Sequence, residues 1–431
     1  MIESYSEALD YIHSLLRFGS VLGLTRIAKL LDLLGNPQKR LKFVHVAGTN
    51  GKGSTVAMTA NILKTAGYKT GMYISPYVLQ FRERMQINGE MIPEETLVQL
   101  TGRVKNACEL LLEQDEIVTE FEAVTAIGML WFCEQSCDIV CLEVGLGGRF
   151  DATNVIDPPL LSVITAISLD HTDILGSDIE KIAFEKCGII KPGAAVVSYP
   201  MQSPAALAVI MESCSKNGNQ LSMGNLGGVE ILSDRPFGTE IRYDSLQLRI
   251  SLAGRHQIAN AVTVIEIIKQ LRRLGFTVSD EDIRQGISTT FFPARMEILH
   301  RDPLFVLDAA HNLAGAAALA DMLEAFKDRG VTLIIGMLRD KDVRGVLSKI
   351  APYAKRILTV TPDNPRALPA AEMAEAAGEF CKSVRSFANY RDAVDAAAEQ
   401  AGDVSATVIC GSLYMAGDMR KTVQTAFAAN R

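Results

Sequence analysis

The sequence predicts an α/β fold in two units. The larger, residues 1–293, carries a mostly parallel sheet with a small antiparallel annex, and the smaller, residues 294–431, is Rossmann-like. Three observations predict this. Short β-branched runs alternate with longer amphipathic stretches, the pattern of parallel strands covered by helices. The rhythm changes to short alternating strands from about Gln220 to Leu252. At 431 residues, the chain also exceeds what one hydrophobic core ordinarily organises.

Segments 43–46, 139–144, 162–167 and 195–198 read as buried strands of the larger unit. A helix over 54–66 is closed by Gly67, with Lys64 in its last turn. Another covers 178–186, with Asp178 as its N-cap. In the annex, strands 240–243 and 246–250 flank Asp244-Ser245. Helix returns over 257–274 and ends at Gly275. Phe291-Phe292-Pro293-Ala294 is the candidate linker. Beyond it, strands 305–307, 332–336, 356–360 and 407–410 alternate with Ala-rich helices. This unit carries no G-x-G-x-x-G, so no dinucleotide site is expected there.

Composition narrows the function classes. A net charge of -7 argues against non-specific nucleic-acid binding and against a basic membrane-surface role. No apolar run reaches the roughly 18 residues of a membrane span. The acidic N-terminus lacks a signal-like apolar segment, so a cytoplasmic location is expected. The 8 cysteines lack disulfide-framework spacing, which suits a reducing compartment. Cys133, Cys137 and Cys141 do not suggest a metal site, because the first ends a helix and the last lies inside a strand. No heptad pattern points to assembly, and a monomer is the default.

The strand over 42–47 runs into Gly48-Thr49-Asn50-Gly51-Lys52-Gly53-Ser54-Thr55, which opens a helix. This is the context of a phosphate loop. Glycines let backbone N–H groups turn towards phosphates, the helix N-terminus adds positive potential, and Lys52 reaches the outer phosphates. Ser54 or Thr55 offers a hydroxyl to Mg²⁺ accompanying ATP. Gly53 intervenes between lysine and hydroxyl, which makes the loop a variant. As a mere glycine-rich turn it would give Lys52 no structural use.

Segment 48–54 resembles the loop of the Mur ligase superfamily, particularly folylpolyglutamate synthase and dihydrofolate synthase. Further stretches carry the same resemblance. They are Glu143-Val144-Gly145-Leu146-Gly147-Gly148-Arg149-Phe150-Asp151-Ala152-Thr153-Asn154, Asp170-His171-Thr172-Asp173, and Glu185-Lys186-Cys187-Gly188. Ser75-Pro76 with Phe81-Arg82-Glu83-Arg84, and Gly254-Arg255-His256-Gln257 with Asn260-Ala261, also fit. There are departures. Ala294 and Ala309 stand where the family usually has glycine, Leu313 where it has proline, and Tyr77 where histidine is common.

The resemblance implies amide-bond formation in two steps. A folate or dihydropteroate carboxylate is phosphorylated by ATP, and the amine of L-glutamate then displaces phosphate. It implies two Mg²⁺ ions held by Ser54, Ser75, Glu143 and His171, and a carbamylated Lys186 supporting the second. Lys52, Lys186, His311 and Asp308 are the implied catalytic residues. Asn260 reads adenine, Arg295 contacts phosphate, and Asp308 serves ribose. Thr119, Phe121, Asp151 and Ala152 line the pterin pocket, Arg82 meets the folate's anionic tail, and His311 and Ser412 handle glutamate. Several residues also have plainer readings: Phe121 as core packing, Lys186 as an ordinary helix-end lysine, Ser412 as a turn serine, and Arg82 as part of a solvated loop.

Besides a folylpolyglutamate synthase that lacks the dihydropteroate activity, three alternatives stay open. One is a Mur-type ligase acting on a peptidoglycan precursor, which would be expected to carry a long domain before the phosphate loop. The second is a nucleotide-binding regulator, which would not need Glu143, His171, Lys186 and Arg295 together. The third is a degenerate member whose altered linker prevents closure.

Overall fold

The computed structural model describes residues 2–18 and 23–428. Its larger sheet has the strand order β4-β3-β2-β5-β1-β6-β7-β8. The strands are β1 (Phe43–Ala47), β2 (Thr70–Tyr73), β3 (Met85–Ile87), β4 (Glu90–Met91), β5 (Ile139–Glu143), β6 (Leu161–Ile164), β7 (Ala195–Ser198) and β8 (Leu221–Met223). From β2 to β8 all neighbours are parallel, while β3 and β4 form an antiparallel edge.

Every residue of β1 and β5 is buried, as expected for strands covered on both faces. Alternate side chains divide between two cores. Val44, Val46 and Cys141 face the helices Lys52–Thr65, His256–Arg273 and Asp280–Ser288. Phe43, Val140 and Leu142 face Glu94–Leu112 and Glu120–Glu134. Each fully buried Leu, Ile or Val contributes roughly 1.5–3 kcal/mol.

The annex is the three-stranded antiparallel sheet of β9 (Glu230–Arg235), β10 (Gly238–Tyr243) and β11 (Leu246–Ile250). Burial alternates along β11, with Leu246, Leu248 and Ile250 turned into the core. Asp244 and Ser245 both take positive φ, the primed turn that suits a hairpin. Two sequence expectations shift here. The segment after Gln220 is not annex, because β8 pairs parallel with β7 as the far edge of the large sheet. The strand expected over 162–167 stops at Ile164, since Ala166 O leaves the ladder to accept the backbone N–H groups of Thr49 and Asn50.

The second sheet runs β12-β13-β17-β14-β15-β16. Its strands are β12 (Glu297–Arg301), β13 (Leu304–Leu307), β14 (Val331–Ile335), β15 (Ala354–Thr359), β16 (Val384–Ser386) and β17 (Ala406–Cys410). Only β12 is antiparallel to its neighbour. The carboxyl ends of both parallel sheets open on one cleft, the usual ligand edge of such sheets. Among the described residues all eight cysteines named are free, and no helix is long and apolar enough to cross a membrane.

Candidate active site in the interdomain cleft

The phosphate loop leaves β1 and closes on the start of the helix Lys52–Thr65. It is pinned from β6: Thr49 N donates to Ala166 O at 2.8 Å, and Thr49 Oγ1 donates to Ser168 O at 3.0 Å. Close approach explains its glycines. A Cβ on Gly48 would stand 1.8 Å from Thr165 Oγ1, and one on Gly51 would stand 2.6 Å from Asn260 Oδ1. Lys52 Nζ donates to Gly48 O at 3.1 Å and Thr49 O at 3.3 Å, and lies 4.0 Å from Glu143 Oε1.

Glu143 ends β5 and is buried. Its Oε2 accepts the Ser75 N–H at 3.3 Å. Burial pushes its carboxyl up to about 7, against the pull of Lys52. Lys186 lies beneath the loop, where Nζ donates to Gly48 O at 2.9 Å. Burial, reinforced by the Lys52 ammonium, brings Lys186 down to about 7. His171 is exposed at φ 50°, with Nε2 4.0 Å from Asp170 Oδ1. Partial desolvation of its ring where the cleft walls approach it lowers its pKa despite Asp170.

Asn260 lies on the helix His256–Arg273, and its Nδ2 donates to Gln257 Oε1 at 2.9 Å. Gln257 Nε2 donates to Ser54 Oγ at 3.3 Å. From the smaller unit, Asp308 follows β13. It accepts from Met296 N at 3.0 Å and Ala310 N at 2.8 Å, and burial raises its pKa against the attraction of Arg295. Arg295 donates to Ala294 O and lies over the Phe292 ring. His311 Nδ1 lies 2.8 Å from Ala309 O. A carbonyl can only accept, so Nδ1 carries the hydrogen and Nε2 keeps its lone pair. Burial lowers the His311 pKa, which favours the neutral ring.

Two cavities meet here. One, of about 380 Å³, is lined by the phosphate loop, Glu143, Lys186, Asn260, Arg295 and Asp308. The other, of about 410 Å³, is lined by Thr119, Phe121, Asp151, Ala152 and Ser412. Ser75, His171 and His311 line both.

Thr119 caps the helix Glu120–Glu134 in a capping box with Glu122, and Phe121 meets Tyr73 edge to face. Asp151 Oδ2 accepts from Leu146 N at 2.8 Å and Oδ1 from Thr153 N at 3.0 Å. Ser412 is buried, and its Oγ accepts from Tyr414 N at 3.1 Å.

The donor set suits Mg²⁺. The Ser54 and Ser75 hydroxyls and the Glu143 carboxylate are hard oxygen ligands. A buried carboxylate pushed up to about 7 also gains from a nearby cation. Among the described residues, no three His, Cys, Asp or Glu converge as a self-sufficient metal cage. Phosphate oxygens and waters would therefore complete the shell, as Mg²⁺ prefers.

Arg82 is not brought to the cavities. It donates to Ile92 O at 3.2 Å and pairs with Glu94, while Arg84 lines the larger cavity instead. Sequence reasoning missed Arg84 as a lining residue, together with Asn312, Asp340, Lys341 and Arg366. The run Asp340-Lys341-Asp342 just beyond an apolar strand was the available signal.

Residues 46–268 match the Mur ligase middle domain, and 294–413 match the Mur ligase, glutamate ligase domain. Dihydrofolate synthase/folylpolyglutamate synthase of Bacillus subtilis is 36% identical over 98% of this chain and 100% of its own. The structure of Mycobacterium tuberculosis folylpolyglutamate synthase complexed with ADP and AMPPCP superposes with a TM-score of 0.88. It is 32% identical, over 97% of this chain and 99% of that one. Escherichia coli FolC in complex with DHPP and ADP gives a TM-score of 0.86 and 30% identity, over 100% and 99% of the two chains. Likeness of this extent, end to end in both molecules, means that the chain belongs to the folylpolyglutamate synthase and dihydrofolate synthase family of Mur ligases.

Proposed function

We propose that this protein uses ATP to join L-glutamate to folates through an acyl phosphate, and that dihydropteroate is accepted in the same cavity. The observation that carries this is the meeting of the phosphate-loop cavity and the larger, partly apolar cavity at Ser75, His171 and His311. A pterin-bearing substrate in the larger cavity would extend its carboxylate to that junction, where the γ-phosphate of ATP would lie. Holding both partners in place removes most of the entropic barrier to their encounter.

In the first step a carboxylate oxygen bonds to the γ-phosphorus and the bond to the bridging oxygen of ADP breaks. Lys52 and the inward N–H groups of the loop hold the negative charge that gathers there. Mg²⁺, held by Ser54, Ser75, Glu143 and His171, would supply charge neutralisation at the phosphates. Asn260 receives adenine, Asp308 the ribose and Arg295 the phosphates. In the second step the amine of glutamate attacks the acyl carbon and the carbon–oxygen bond to phosphate breaks. The free Nε2 of His311 accepts the proton the amine sheds, and Ser412 orients the incoming amino acid. Phe121 stacks the pterin, beside Thr119 and Ala152, and Asp151 receives its edge.

Carbamylation of Lys186 belongs to this reading and is supported by its burial and its pKa of about 7. Its buried amine adds to CO₂ with release of one proton, and the resulting anion would face a second Mg²⁺. The linker Phe291–Ala294 divides the nucleotide unit from the glutamate unit, and the protein acts as a cytoplasmic monomer. The test is phosphate release from Mg-ATP and L-glutamate with either dihydropteroate or tetrahydrofolate. Release with both is expected. Release with tetrahydrofolate alone would return Phe121 to a packing role, and release with neither would overturn the substrate class.

A further inference from the structure

We propose that Lys341 is a positioning residue that couples seating of the glutamate unit to the loop bearing His171. The proposal rests on reading the cleft as the nucleotide site. Lys341 lies on the loop between β14 and the helix Val343–Ile350, and its ammonium crosses the cleft. Nζ donates to Asp170 Oδ1 at 2.8 Å, and the two side chains are only 10% and 12% exposed. Asp170 in turn accepts the backbone N–H of His171 on that same oxygen at 2.9 Å.

A second strut runs alongside. Asn312 Nδ2 donates to Asp170 Oδ2 at 3.1 Å and to Asn50 Oδ1, on the phosphate loop, at 3.2 Å. Asn312 Oδ1 meanwhile caps the helix Leu313–Leu323. One carboxylate thus collects the ammonium and amide of the smaller unit and fixes the loop that carries His171.

An exposed ion pair would contribute little. This one is largely removed from water, shares its acceptor with a second interdomain hydrogen bond, and has its lysine on the wall of the ligand cavity. The units also touch elsewhere. Val78 is packed in the core of the smaller unit, and its carbonyl lies 2.6 Å from where a Cβ on Gly417 would stand. Loss of Lys341 should therefore loosen closure without separating the units.

The experiment compares the full chain with Lys341→Met, Lys341→Arg, Asp170→Asn and the Met/Asn double variant. Small-angle scattering with Mg²⁺ and AMPPCP reads closure, and steady-state kinetics reads kcat and KM for ATP. Expected for Lys341→Met are a larger radius of gyration and a kcat at least 10-fold lower, with KM for ATP within about 3-fold. Lys341→Arg recovers closure, and the double variant is no worse than the poorer single, because neighbours acting as one unit are not additive. Unchanged scattering in Lys341→Met, or losses that multiply in the double variant, would overturn the proposal. Scattering needs no turnover, so a wild-type chain inactive on folates would count against the proposed function while closure was still decided.

Discussion

His45 shows how one buried side chain sets a measurable property. It sits in the centre of β1 with Nε2 2.9 Å from Thr153 Oγ1. That hydroxyl donates to Asp151 Oδ1 at 2.5 Å, so it accepts from His45, and Nε2 carries the hydrogen. Nδ1 is buried and has no hydrogen-bond partner among the described residues. Burial, and secondarily Lys191, lowers the histidine to about 3 from 6.5. The sign follows: the unfolded chain binds the proton more readily, so stability from this group is full above pH 6.5 and falls as pH drops towards 3. Between pH 6.5 and 5 the loss is about 1.6 kcal/mol. Urea unfolding of the native chain and His45→Gln at both pH values checks this; the native chain should lose about that much more than the variant. Equal losses would mean that His45 is not buried neutral.

The departures from the family pattern also resolve at this scale. Ala294 takes φ 53°, a conformation that suits glycine and costs a non-glycine residue roughly 1–2 kcal/mol. Its methyl is fully buried in the smaller unit's core, which offsets part of that. Ala309 has no positive φ, so the missing glycine there brings no such strain. Leu313 is the first residue of its helix, where proline is favoured but not required.

At the scale of elements, the sequence located what is local and missed what depends on distant contacts. The strand, phosphate loop and helix from Lys42 to Thr65 were legible because glycine spacing and apolar runs lie side by side. The early end of β6 was not, since the phosphate loop, more than a hundred residues earlier, takes its carbonyls. Nor was β8, whose short and partly exposed segment is a strand only through pairing with β7. Arg82 and Arg84 stand two residues apart in a short 3-10 helix and so leave it on different sides, and only the packing of Arg84 over Tyr77 and Phe81 settles which faces the cavity.

The joint between the phosphate loop and the exit of β6 makes its own prediction. Gly48→Ala places a methyl against Thr165, which must push the loop away and displace the carbonyl that Lys186 binds. The dissociation constant for AMPPCP should rise at least 10-fold by calorimetry, with part recovered when Thr165→Gly is added. An unchanged constant would mean that this contact does not shape the nucleotide site.

Across the whole molecule, function lies in the facing of two sheets rather than in either alone. The larger unit supplies Lys52, Ser54, Glu143, His171 and Lys186, and the smaller supplies Arg295, Asp308 and His311. Their common cleft follows from the rule that parallel sheets present ligand sites at their carboxyl ends. Most residues that line this cleft stand in motifs legible along the chain. The bridges that close it, Lys341 to Asp170 and Asn312 to Asn50, join residues far apart along the chain and carry no local signature.

The most direct test of the account is positional isotope exchange in ATP labelled at the β,γ-bridging oxygen, with Mg²⁺ and tetrahydrofolate present and glutamate withheld. If the cleft phosphorylates a folate carboxylate, reversible formation of ADP and acyl phosphate will scramble the label into the non-bridging β-positions, and Glu143→Gln will reduce the exchange at least 10-fold. Absence of scrambling with tetrahydrofolate and with dihydropteroate, in protein that binds AMPPCP normally, would contradict it.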